Sequence, residues 1–140
     1  MIDTQYLQYF AAGIFYEMVD GVRKPCEIKQ QYLETIAGTN NVTLVGGVGG
    51  KKLRCISLTV VSIAAAATTV LFKNAGTGLA ITNYFPIIAN NVAIPNGFLY
   101  LAPSELGHFE SDLEDTIYVD TGAGAGVQIY FRYIEFTPIA

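Results

Sequence analysis

From Tyr32 to Phe136 the chain is a run of short alternating apolar segments, each closed by Gly, Asn or Pro. This spacing constrains the fold more than any other feature. Side chains on a strand alternate between two faces, and turn residues every few positions leave little room for a helix. Leu53 to Ile63 reads as a long strand, with Ile56, Leu58 and Val60 on an apolar face. Its other face, Cys55, Ser57, Thr59 and Val61, is small and mostly β-branched. Val127 to Phe136 reads as the last strand. There Val127, Ile129, Phe131 and Tyr133 share one face, and Tyr130, Arg132, Ile134 and Phe136 the other. Further strands are expected at Tyr32–Ile36, Val42–Val45, Thr68–Lys73, Leu79–Ile88, Val92–Ile94, Phe98–Leu101 and Thr116–Asp120. Ala64 to Ala67 has high helix propensity, but so short a run does not nucleate a helix and is read as a connection. The pattern predicts an all-β chain, an antiparallel β-sandwich of jelly-roll type. Ile56, Leu58, Val70, Phe72, Ile129 and Phe131 are the expected core.

The first residues are different. Tyr6, Leu7, Tyr9, Phe10, Ile14, Phe15, Tyr16 and Met18 follow neither a helical stripe nor a clean alternation. Residues 1–27 are therefore expected to be an extended N-terminal arm or peripheral strands, with a turn at Gly21 to Pro25. Residues 28–140 form the sandwich domain. Tyr and Phe give large contact area with few rotors to freeze, which suits an interface. Tyr6, Tyr9, Phe10, Phe15 and Tyr16, followed by Arg23 and Lys24, are the expected contact residues of the arm. Tyr130 and Phe136 join them, because the last strand is apolar or aromatic on both faces and its outer side needs cover. That cover comes from another subunit or from the chain's own N-terminal segment.

Composition narrows the function. Charged residues are 14% of the chain, against roughly 25% for an average soluble domain. Hydrophobic residues are 51%. These values exclude a disordered chain and a coiled coil. The net charge of −4 argues against general nucleic-acid binding. Nine Tyr and eight Phe with few charges point to a component of an assembly. Residues 1–74 carry seven bases and five acids, and residues 75–140 one base, Arg132, and seven acids. No apolar run is long enough to cross a membrane as a helix. The N-terminus lacks the basic start of a signal peptide, so it is expected to be retained. Cys26 and Cys55 are read as reduced, buried small side chains.

Catalytic patterns fail one by one. Gly46 to Gly50 with Lys51 invites a phosphate-loop reading, but Val45 stands where the first glycine belongs and Lys52 where Ser or Thr belongs. Glu110, Asp112, Glu114, Asp115 and Asp120 offer oxygen ligands, yet the calcium-loop spacing is absent, and a solvated acidic loop is the expected reading. His108 is the sole histidine, and no Ser sits in a nucleophile elbow. No enzymatic activity, cofactor or metal is expected.

Lys51-Lys52-Leu53-Arg54-Cys55-Ile56, Ala67 to Asn74, Gly107-His108-Phe109, Thr116 to Gly122 and the ending Tyr133-Ile134-Glu135 occur in an order that carries a resemblance. Over residues 28–137 the chain resembles small β-sandwich proteins of tailed-bacteriophage virions, which serve as capsid decoration (cement) proteins or as head or tail fibre modules. His108 departs from an aromatic residue common at that place. The resemblance implies a non-enzymatic decoration protein on the outer capsid surface, made in the host bacterial cytoplasm. Its implied partners are the major capsid protein and further copies of itself, a trimer rather than a dimer, with no nucleic acid or membrane. The alternative it implies is a fibre or receptor-binding module recognising host glycans. A chain starting at Met1 leaves little room for the shaft such a module needs.

Overall fold

The computed structural model describes residues 14–63, 66–87, 98–104 and 106–138. Those residues hold strands and turns and no helix. The strands are β1 (Ile14–Val19), β2 (Val22–Glu27), β3 (Lys29–Glu34), β4 (Val42–Val45), β5 (Lys52–Ser62), β6 (Thr68–Asn74), β7 (Phe85–Ile87), β8 (Phe98–Leu101), β9 (Phe109–Glu110), β10 (Ile117–Thr121) and β11 (Val127–Phe136). One sheet has the order β3-β11-β5-β8, with β9 also pairing β5, and the other β4-β10-β6-β7. Every pair is antiparallel. Most connections pass from one sheet to the other, so the chain winds around a single core. The alternation predicts the β-sandwich, and the strand order makes it a jelly roll.

The core lies between the sheets. Leu53, Cys55, Leu58, Val60, Val127, Ile129, Phe131 and Tyr133 come from the first sheet, and Leu44, Val70, Phe72, Ile87, Ile117 and Val119 from the second. Phe72 stacks on Phe131 across the gap with ring centroids 6.4 Å apart, and Phe109 wedges beside both, at 5.1 and 6.1 Å. A buried hydroxyl pair ties the sheets at one end, with Thr35 Oγ1 2.8 Å from Thr121 Oγ1. Gly126 permits this approach, because a Cβ there would lie 2.1 Å from the Thr35 carbonyl oxygen.

One core assignment changes face. Ile56 was expected beside Leu58 and Val60. In the structure Arg132 pairs with Ser57 and Tyr133 with Cys55, so Ile56 is the extra residue of a β-bulge. The bulge switches the phase of β5. Leu53 and Cys55 face the core before it, Leu58 and Val60 after it, and Ile56 turns to the outer side. There it is buried in a second cluster with Cys26, Ile134 and Phe136, against which Ile28 packs.

That cluster also holds Phe136. Expected at a subunit contact, it is covered by its own chain, because Cys26 and Ile28 lie beside it and the Arg54 guanidinium sits 4.3 Å from its ring centre. Of the N-terminal segment, residues 14–27 are two peripheral strands paired with each other, Ile14 opposite Glu27 and Val19 opposite Val22. The turn falls at Asp20-Gly21 rather than at Gly21 to Pro25. Asp20 and Gly21 have φ of 51° and 74°, the doubly positive geometry of a two-residue hairpin turn that Asp-Gly favours.

Truncating Phe72 or Phe131 to Ala should cost about 3–5 kcal/mol in urea unfolding. A loss under about 1 kcal/mol at both would mean the sheets do not meet through these rings.

Candidate interaction face

The outer side of the first sheet is divided by the bulge and the hairpin. Its covered half is the Cys26, Ile56, Ile134 and Phe136 cluster just described. Arg54 lies over it and is itself held by Glu110, with Nη2 2.6 Å and Nε 2.8 Å from Oε1. The other half is open. Strand register places Tyr32 opposite Tyr130, Tyr130 opposite Thr59, and Thr59 opposite Tyr100. Residues in register share a face, so three tyrosines and a threonine form one row across four strands. Tyr32, Tyr130 and Tyr100 are 47, 49 and 56% exposed. The rings of Tyr32 and Tyr130 lie 5.1 Å apart and tilted. The next outward row is Glu34, Gln128, Val61 and Phe98, and Phe98 is also exposed.

Between the halves runs the row Gln30, Arg132 and Ser57. A cleft of about 280 Å³ opens there, lined by Gln30, Gln31, Tyr32, Ser57, Thr59, Tyr130, Phe131 and Arg132. The Arg132 Nε–H is buried and has no hydrogen-bond partner among the described residues. The Tyr32 hydroxyl donates to Glu34 Oε2 at 2.9 Å, which holds its pKa above the ordinary phenol value.

Of the expected contact residues, Tyr130 stands at the centre of this face. Lys24 is exposed on β2. Tyr6, Tyr9 and Phe10 lie outside the described residues, as do the side chains of Phe15, Tyr16 and Arg23. Tyr32, Tyr100 and Phe98 were not singled out by the sequence. Their common signal was an aromatic side chain on the outward phase of β3 and β8, visible only once the strands are placed side by side.

The acidic segment has a structural use. Glu114 Oε1 accepts the Gly50 N–H at 2.7 Å, and Asp115 Oδ1 those of Gly76 and Thr116 at 2.9 and 2.8 Å. Asp120 pairs with Lys73 at 2.8 Å and accepts the Asn41 N–H. The carboxylates thus pin the β4–β5 and β6–β7 turns one by one. Among the described residues no three His, Cys, Asp or Glu side chains come together as metal ligands. His108 Nε2 lies 2.7 Å from the Ala102 carbonyl oxygen. A second groove, about 550 Å³, passes His108, Phe85 and Phe109, and among the described residues no carboxylate or thiol lines it.

Cys55 is fully buried, and burial pushes its thiol pKa up to about 12. Only the unfolded chain can hold it as thiolate near its ordinary pKa. Its contribution to stability is therefore intact below that pKa and declines as pH rises above it. Iodoacetamide should label Cys55 only as fast as the domain opens, and rapid labelling of Cys55 itself, located by peptide mapping, in the native protein at pH 8 would contradict this burial.

No family model matches the chain, and no curated protein matches it. Among solved structures it is similar to a chain described under "Bacillus endospore appendages form a novel family of disulfide-linked pili". The two share 13% identity, with a TM-score of 0.43, over 81% of this chain and 89% of that one.

Proposed function

We propose that the chain is a non-enzymatic structural protein that works by assembly, and specifically a decoration protein on the outer surface of a tailed-phage capsid. The row Tyr32, Tyr130, Thr59 and Tyr100 is the observation that carries this reading. Aromatic side chains half exposed on a rigid sheet offer area at low entropic cost, which favours a partner over solvent. The partner chosen, a major capsid protein, follows from the resemblance of residues 28–137 to phage virion sandwiches. Copies bound only to the assembled shell stabilise it by mass action, with no chemistry required. Self-association as a trimer belongs to the same reading, since adjoining copies at a threefold position would bury neighbouring aromatic rows.

A second reading, recognition of a host glycan by a fibre or receptor-binding module, draws on the cleft beside Tyr130. Two tyrosine rings, two amides, the Ser57 and Thr59 hydroxyls and an Arg132 Nε–H without a partner among the described residues suit a polyhydroxy ligand.

The test is co-sedimentation with capsids lacking decoration. Tyr130→Lys and Tyr100→Lys should each keep the melting temperature within a few degrees, since both side chains are surface-exposed. Each should weaken shell binding at least about tenfold. Full binding by both variants would remove this face from the contact. Binding to glycans but not to shells would favour the second reading.

A further inference from the structure

The bases on the aromatic sheet are held by its own acids, with one exception. Lys29 reaches Glu135 at 3.1 Å, Lys52 reaches Glu110 at 3.8 Å, and Arg54 reaches the same carboxylate at 2.6 Å. Arg132, on β11 of the same sheet, is half-buried and forms no ion pair among the described residues. Its buried Nε–H has no acceptor there either. Glu34 shares the outward phase but accepts the Tyr32 hydroxyl. It also lies four residues along β3 from Gln30, the residue opposite Arg132, which is about 13 Å by strand rise and beyond a Debye length in physiological salt. Leaving a half-buried guanidinium without an acceptor carries a desolvation cost that an incoming anion offsets.

The surroundings of this cation say what kind of anion fits. Strand register sets Gln30 and Ser57 on either side of Arg132, and Tyr32 and Thr59 on either side of Tyr130. Ser57 and Thr59 are short, so the β5 side of the cleft is low. On the β3 side the Tyr32 and Tyr130 rings meet at 51° and form a wall rather than a flat stack. The enclosed space, about 280 Å³, is at the lower end of ligand sites and suits one sugar ring rather than a chain. A pyranose has a C–H face that packs on a tyrosine ring, and rim hydroxyls that meet the Gln30 amide and the Ser57 and Thr59 hydroxyls. No carboxylate lines the cleft among the described residues.

We infer that this cleft binds a carboxylated sugar, a single uronic-acid residue, with its ring on Tyr130 and its carboxylate on the Arg132 guanidinium. A carboxylate matches the planar fork of a guanidinium with two parallel N–H bonds. It also matches the charge, one anion for one cation, whereas a phosphate ester carries nearly two charges at pH 7. Tyr130 and Arg132 are two residues apart on one face, about 7 Å, so one sugar residue touches both. The assignment rests on glycan recognition at this cleft and not on shell binding.

Titration of the full chain with methyl glucuronide and with methyl glucoside, followed by amide NMR shifts, tests it. The two sugars differ only in a carboxylate against a hydroxymethyl group. The glucuronide should shift the amides of Tyr32, Thr59, Tyr130 and Arg132 with a Kd in the millimolar range, as expected for so small a ligand. The glucoside should bind at least about tenfold more weakly, the difference between a charge-assisted and a neutral hydrogen bond. Arg132→Met, which keeps the apolar stem, should bring the two sugars to equal affinity, and Tyr130→Ala should weaken both alike. Equal binding of the two sugars by the wild type would overturn the inference while leaving glycan recognition standing. No shift with either sugar would overturn both. Acetate binding as tightly as the glucuronide would overturn the sugar, and glucose 6-phosphate binding more tightly would overturn the carboxylate. A glucuronide preference that survives in Arg132→Met would remove Arg132 from the site.

Discussion

The antiparallel pairing of β5 with β11 is the constraint on which the rest of the molecule depends. These are the two longest strands, and they pair from Val127 opposite Ser62 to Phe136 opposite Lys52. Each supplies an inward row to the core and an outward row to the face. A sandwich sheet ordinarily needs only one apolar side. Here the single extra residue at Ile56 changes what the outer side is made of. Without it Ile56 would stay in phase with Leu58, and Ile134 and Phe136 would lie across from smaller side chains. With it, a second small core forms outside the sheet, and the β1–β2 hairpin closes it.

The same bulge explains why the face is split. The outward residues below it are Lys52, Arg54 and Ile56, and those above it are Ser57, Thr59 and Val61. Arg54 brings the Phe136 end under a guanidinium held by Glu110, and Lys52 reaches the same carboxylate at 3.8 Å. Among the described residues no comparable ion pair covers the end beyond Ser57. Short β-branched residues at Thr59 and Val61 leave the neighbouring tyrosines standing above the sheet. A flat aromatic surface therefore results from which side of the bulge each residue falls on.

Much of this was legible in the sequence. Val42–Val45, Phe98–Leu101 and Val127–Phe136 begin and end where alternation and turn residues place them. The inward row of β11 follows its period without interruption. Four things were legible only in part or not at all. Ile56 sits in a stretch, Cys55-Ile56-Ser57-Leu58, that reads as continuous alternation, and a bulge is declared only by the partner strand. The hairpin carried a signal, Asp20-Gly21 between apolar residues, that the irregular aromatic content of its flanks obscured. The strand expected over Leu79–Ile88 shrinks to Phe85–Ile87, because residues 75–84 are used in the turn and in an isolated bridge from Ala80 to Lys73. The acidic segment was visible as acids, but its role is set by backbone amides of distant turns, which a sequence does not place.

The division of labour among charges bears on how such a surface can associate. The carboxylates of the acidic segment are mostly spent within the fold, on turn amides and on Lys73, Arg54 and Lys52. They are poorly available for steering a partner. Among the described residues the open half of the aromatic face holds Glu34 among neutral side chains, with Arg132 at its border, and Glu34 already accepts the Tyr32 hydroxyl. Exposed charges act over about a Debye length and fade with salt, whereas apolar contact does not. A partner that meets this face is therefore held by area and fit, its complex nearly indifferent to ionic strength. Its specificity would come from the shape left between the rings and the Gln30–Arg132–Ser57 row.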